Sequence, residues 1–258
     1  MKRLAALAML LAAPAAAAPM RVASLNLCTD ELALALAAPG QLVSVSRLGA
    51  DPAESTLAGR ARGLATNRGR LTDVVALAPD LVLTSRGDPA AAAAARRLGI
   101  AVLDLPEPGT LADVRAQIRA VAAALGRPHA GAALIASLDR TLAAPPAPRP
   151  ALFIAGGGLT IAPDGLAAQW LRAAGFAQQP VPRGQISLER LLTDPPATLV
   201  VSQYRRDQES LNQAWLRHPA LARLPQHTRI SPSDGRAWTC GGPAMIPEIA
   251  RLRLWATP

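Results

Sequence analysis

Two rhythms of apolar and polar residues divide this chain. Short apolar runs bounded by turn residues recur between stretches with helical spacing. "RVASLNL" (21–27) alternates and then runs apolar, which predicts a buried strand. "TDELALALAA" (29–38) follows at once. Thr29 suits an N-cap, Asp30 and Glu31 favour the positive end of a helix, and Pro39-Gly40 stop it. "LVSVS" (42–46) predicts a second strand, and 47–70 a long polar surface loop with one helical turn. "LTDVVALAP" (71–79) predicts a short helix, "DLVLTS" (80–85) a strand, "PAAAAAARRLG" (89–99) a helix and "IAVLDL" (100–105) a strand. Strands alternating with helices predict a parallel sheet covered on both faces.

From Thr110 to about Ala144 the pattern is almost wholly helical, interrupted at "GRPHA" (126–130) and closed by the stiff "PPAPRP" (145–150). The βα rhythm then resumes. "ALFIAG" and "TLVVSQ" predict strands, "GLAAQWLRAAG" and "SLERLLTDP" helices, 206–224 a helical region, "TRIS" a strand and 243–254 a final helix. "LTDVVALAPDLVLTS" in the first half is echoed by "LERLLTDPPATLVVS" in the second. The expected fold class is α/β: two doubly wound lobes joined by one long α-helix, with a ligand cleft between them. The expected divisions are a signal peptide at 1–18, a first lobe at 19–127, a bridging helix and linker at 128–148, and a second lobe at 149–258.

Composition changes the picture in three ways. The chain has 258 residues, half of them hydrophobic, enough for two modest cores. Its start reads as an export signal: Lys2 and Arg3, an apolar run from Leu4 to Ala13, and small residues at Ala16, Ala17 and Ala18. No cysteine stands at the small-residue end of that run, so a periplasmic protein without a lipid anchor is expected. Lys2 is the only lysine, so arginine supplies all but one of the 27 positive charges behind the formal charge of +9, and lysine Schiff-base chemistry is excluded in the mature protein. The arginines are dispersed and aromatics are few, against a nucleic-acid partner.

In open α/β sheets, ligands sit beyond the carboxyl ends of the strands. That rule nominates Cys28 and Thr29 after the first strand, Arg47 after the second, and Ser85 and Arg86 after the third. In the second lobe it nominates Gly157, Tyr204, and Trp238 and Cys240 in the last loop. Catalytic constellations are missing. His129, His218 and His227 lack metal spacing, the glycine run at 156–158 lacks the phosphate-binding pattern, and no G-x-S-x-G is present. Neither a catalytic residue nor a metal site is therefore assigned. Both cysteines are predicted at strand-to-helix turns on the cleft side. Export permits a Cys28–Cys240 disulfide. Two small buried residues, or two ligand-contacting thiols, are equally open readings.

"RVASLNLCTDELALALAAPGQLVSVS", "TNRGRLTDVVALAPDLVLTS", "RRLGIAVLDLPEPGTLADVRAQIRAVAAALGR", "WLRAAGF" and "SLERLLTDPPATLVVSQ" together resemble the periplasmic substrate-binding proteins of ABC importers for vitamin B12, ferric siderophores and haem. The resemblance covers nearly all of the chain after the signal. It implies a monomeric, non-enzymatic protein whose two lobes are held rigidly by one helix. It also implies capture of cobalamin or a ferric siderophore, with no covalent cofactor, for delivery to an ABC permease. Glu189 matches the second-lobe residue that docks on the permease. At the first-lobe position stands Thr72, with Asp73 beside it. Ser85 stands where a vitamin B12 binder can carry tryptophan, and Trp238 is placed to stack on a planar ligand. Haem is disfavoured, because Tyr204 is the one tyrosine or histidine near the expected cleft. The alternative is an exported redox or hydrolytic enzyme using Cys28 and Cys240.

Overall fold

A computed structural model describes residues 21–85, 87 and 89–256. The expected signal peptide and Arg86 lie outside the described residues. The first half forms a five-stranded sheet of β1 (Val22–Ser24), β2 (Leu42–Ser46), β3 (Ala65–Asn67), β4 (Leu81–Ser85) and β5 (Ala101–Leu105). Its strand order is β3-β2-β1-β4-β5, and every pairing is parallel. Helices α1 (Leu27–Leu36), α2 (Arg47–Ala50) and α3 (Pro89–Arg97) connect these strands. The second half repeats the plan with β6 (Arg149–Ile154), β7 (Phe176–Gln178), β8 (Thr198–Ser202) and β9 (Arg229–Ser233), in the order β7-β6-β8-β9 and again all parallel.

Between the sheets run α4 (Leu111–Ala124) and α5 (Pro128–Leu142). A capping box starts α4: the Thr110 hydroxyl accepts from the Asp113 N–H, and the Asp113 carboxylate accepts from the Thr110 N–H. Gly126 turns the chain at φ 66°, and Pro128 opens α5 where its missing N–H costs nothing. Fifteen residues make α5 about 22 Å long. It packs on α4 at one side and on α10 (Met245–Ala256) at the other. Gly131 permits the close approach of α4 and α5, since a Cβ there would stand 2.5 Å from that of Ala122. The remaining helices are α6 (Leu166–Ala173), α7 (Leu188–Thr193), α8 (Leu211–Leu216) and α9 (Gly235–Cys240).

One apolar core crosses from lobe to lobe. Leu32 and Leu36 of α1, Ile118 of α4, Leu138 of α5, Trp170 of α6 and Ile249 of α10 belong to it. Each lobe also has a satellite core, and here the internal echo is structural. Val74 packs with Val82 of β4 in the first lobe, as Leu191 packs with Leu199 of β8 in the second. All four are nearly or wholly buried.

Three expectations need correction. "LTDVVALAP" forms two 3₁₀ turns, Leu71–Asp73 and Val75–Leu77, instead of a helix. Its β-branched valines are poor helix formers, and Val74 is drawn into the satellite core. The 47–70 loop holds the expected helical turn as α2, but also strand β3, which the polar sequence hid. Cys240 does not lie in a strand-to-helix turn. It is the last residue of α9, a short helix that Asp234 caps by accepting from the Arg236 N–H.

Candidate functional site

The α1 helix begins at the C-terminal end of β1. Asn26 caps it, its side chain accepting from the Thr29 N–H at 3.1 Å. That cap places Cys28 in the first turn, facing the other lobe. Across the seam α9 ends at Cys240, and the two cysteines form a disulfide with Cα atoms 5.2 Å apart and a sequence separation of 212. Of the three readings open in the sequence, the disulfide is the one found, and no free thiol remains.

Two cavities open along this seam, and α9 runs from one to the other. Arg236 in its first turn lines a cavity of about 730 Å³, whose wall comes from both lobes: Asp51 to Glu54 on one side, Gln203, Arg205 to Gln208, Pro232 to Asp234 and Arg236 on the other. Cys240 lines a cavity of about 360 Å³ together with Cys28, Thr29, Ser85, Trp170 and Trp238. The larger lies beyond the carboxyl ends of β8 and β9, and the smaller beyond those of β4 and β5.

The larger cavity is polar and bridged. Tyr204 donates its phenol proton to Glu54 Oε2 at 2.5 Å, and Arg205 donates to Glu54 Oε1. Arg236 donates to the Pro52 carbonyl at 2.7 Å. These bonds tie the loop after α2 to the ends of β8 and β9. Burial and the adjacent Glu54 carboxylate hold the Tyr204 phenol above its usual value. Arg205 adopts φ 49°, a left-handed backbone that disfavours a residue with a side chain by about 1–2 kcal/mol. Behind this wall Glu31 is fully buried, with Oε2 unpaired. Burial pushes its carboxyl up to about 7; Ser55 and Arg236 pull it down, while Asp30 and Asp234 push it further up.

The smaller cavity is more apolar, and its aromatic residues are fixed. Trp170 donates its indole N–H to the Gly241 carbonyl at 2.8 Å. Trp238 packs on Phe153 with ring centroids 4.6 Å apart and donates to Ser233 Oγ, itself bonded to buried Glu248. Trp238 is thus a core anchor that also shows an edge to the cavity.

The nominated residues divide by place. Cys28, Thr29, Ser85, Trp238 and Cys240 meet at the smaller cavity, and Tyr204 touches the larger through its bond to Glu54, which lines it. Arg47, exposed at the start of α2, lines neither. Gly157 lies in a separate groove on the second lobe, with Glu189, Arg183 and Trp215. There its φ of 71° and the nearness of Asn212 Oδ1 suit glycine alone. His129, His218 and His227 are exposed and line neither seam cavity. Among the described residues no group of three or more potential ligands could hold a metal ion. Glu54 escaped sequence reasoning, since one acid in a polar loop carries no periodic signal. Arg205 and Arg236 lay in nominated loops, but their partners were not legible.

Two parallel α/β lobes, a shared core behind a seam and cavities at the strand ends define a two-lobed binding protein. The chain belongs to the periplasmic binding protein family, whose model matches residues 22–226. A comparison with curated proteins finds no match. Among solved structures the chain is similar to the periplasmic haem-binding protein BhuT in complex with two haems. They share 24% identity over 91% of this chain and 96% of that one, with a TM-score of 0.69. It is similar to the periplasmic haem-binding protein HutB of Vibrio cholerae at 22% identity over 93% and 99%, with a TM-score of 0.73. The periplasmic vitamin B12 binding protein BtuF of Vibrio cholerae matches at 19% identity over 92% and 96%, with a TM-score of 0.60. These likenesses establish the fold.

The seam makes two measurable predictions. Removing the disulfide with the Cys28→Ala, Cys240→Ala pair should cost about 2–5 kcal/mol, because the bond closes most of the chain into one loop. Urea midpoints that match with and without reductant would contradict it. Glu31 has a higher pKa folded than unfolded, so its contribution is fully present below pH 4.5 and is lost as pH rises through about 7. Stability should fall across that window by on the order of 3 kcal/mol, and Glu31→Gln should flatten the slope. Parallel pH profiles of chemical unfolding for the two proteins test this.

Proposed function

We propose that the protein captures a metal chelate or corrinoid in the periplasm, with cobalamin or a ferric siderophore as the ligand, and hands it to an ABC permease. The observation that carries this reading is the cavity of about 730 Å³ walled by both lobes, in the size range of small-molecule sites. Its walls carry arginine and carboxylate side chains, suited to the oxygen-rich rim of a chelate. The solute-binding role itself follows from the family. No helix among the described residues is long and apolar enough to cross a membrane.

Haem is the second reading. The haem-binding structural relatives favour it, and Tyr204 holds a phenol oxygen against Glu54 in the wall of the larger cavity. That oxygen is held by Glu54, so iron coordination would require the bond to break. The hydrolytic alternative loses its nucleophile, because both cysteines are joined in the disulfide, and a redox enzyme would need that bond to open in turnover.

Asp73 and Glu189 are proposed to dock on the permease. Both are exposed, Asp73 accepting from the Arg68 N–H and Glu189 in the first turn of α7. Hydrogen bonds from its own N–H and from Ser187 hold the Glu189 carboxyl below its usual value, so it is charged at neutral pH.

Thermal melting with cyanocobalamin, ferric citrate and haemin should give a rise of about 5–10 °C for one probe near a hundredfold excess over its Kd. No rise with any of the three, for protein that melts cooperatively, would sink the chelate reading. Asp73→Arg and Glu189→Arg should leave that rise unchanged and abolish uptake in cells. Undiminished uptake would remove the docking assignment.

A further inference from the structure

The wall of the larger cavity carries four arginines, Arg205, Arg206, Arg236 and Arg251, and four carboxylates, Asp51, Glu54, Asp207 and Asp234. The pairing is uneven. Arg236 is held by Asp234, Arg251 by Glu248, and Arg206 lies beside Asp207, all within the second lobe. Arg205 alone among these cations has its carboxylate partner on the other lobe. Glu54 reaches across the seam, and its side chain is 2% exposed against 38% for that of Arg205. The carboxylate is therefore enclosed while the guanidinium still borders open space.

Glu54 receives what a bound carboxylate would receive: one guanidinium bond and one phenol bond, each to a different oxygen. Its donors are held independently of it. The Tyr204 carbonyl accepts from Gln213 Nε2 at 2.8 Å, and the Tyr204 N–H donates to Ser202 Oγ at 3.3 Å. The Arg205 guanidinium also lies 5.6 Å from the centre of the Tyr204 ring. Two charge-compatible donors on a pinned loop form a ready receptor for an oxyanion.

We propose that Tyr204 and Arg205 are the carboxylate-recognition element of the cleft and that Glu54 is an internal stand-in for the ligand. When the cleft is empty Glu54 occupies both donors. A ligand bearing a carboxylate takes its place, and Glu54 swings toward solvent with the loop after α2. The substrate class is thereby narrowed to carboxylate-bearing chelates, an assignment that rests on the binding-protein reading above. Among the ligands proposed above this favours a ferric siderophore with free carboxylates over cobalamin, whose amide rim does not repay the loss of an enclosed, doubly bonded carboxylate.

The test uses citrate as the probe, by calorimetric titration at an ionic strength held constant with chloride. Citrate should bind Glu54→Ala at least about tenfold more tightly than wild type. Adding Arg205→Ala should abolish the gain. Equal affinities in wild type and Glu54→Ala would overturn the stand-in, as would a gain that persists without Arg205. If Glu54→Ala does not fold, Glu54→Gln keeps the size and removes the charge, so the same comparison decides the matter. A citrate gain with no chelate binding would refute the chelate class alone. Chelate binding with equal citrate affinities would refute the stand-in alone.

Discussion

The bond between Cys28 and Cys240 joins the first turn of α1 to the last residue of α9, and so ties the lobes together on the cleft side of their shared core. Behind it lies apolar contact running from Leu32 through Ile118 and Leu138 to Trp170 and Ile249. A covalent tie and a continuous core acting together leave little room for one lobe to swing away from the other. What can move is the polar rim, where loops meet through hydrogen bonds and one cross-lobe ion pair. The cleft is thus a rigid frame with an adjustable edge.

The same frame explains why the seam holds two unlike cavities. Toward β8 and β9 the wall is made of loop residues with long charged side chains, which need water or partners and keep the space open. Toward β4 and β5 the wall comes from helix faces bearing Leu32, Leu166 and Trp170, whose indole nitrogen already has a partner. The α9 helix spans the boundary, with Arg236 at the polar end and Cys240 at the apolar end. A large polar solute suits the first cavity. The second is set by packing, and the sequence nominees gathered there serve the joint between lobes as much as any ligand.

Much of this was legible in the chain. The buried parallel strands announced themselves as apolar runs, and "APDLVLTS" with its later echo marked the same strand in each lobe. Thr29, read as the N-cap, and the acids after it placed the start of α1 three residues late: the strand ends at Ser24, Asn26 is the cap and Cys28 lies in the first turn. The missed elements share a cause. Strands β3 and β7 have three residues each, too few for periodicity to register. Helix α9 has six, with Gly235 at its start and Thr239 near its end, neither a strong helix former. Each is held by what it packs against.

By itself, then, the sequence determined the α/β class, the helical link and the strand ends at which a ligand site must lie, because those follow from local periodicity and caps. Its two cysteines were compatible with three states. Only the tertiary structure chose among them, by bringing residues 212 positions apart to within bonding distance. It alone paired Glu54 with Tyr204 and Arg205, since an ion pair between lobes leaves no trace in either segment. Periodicity records what each element buries, whereas the partners met across the seam depend on where the two sheets come to rest against their shared core.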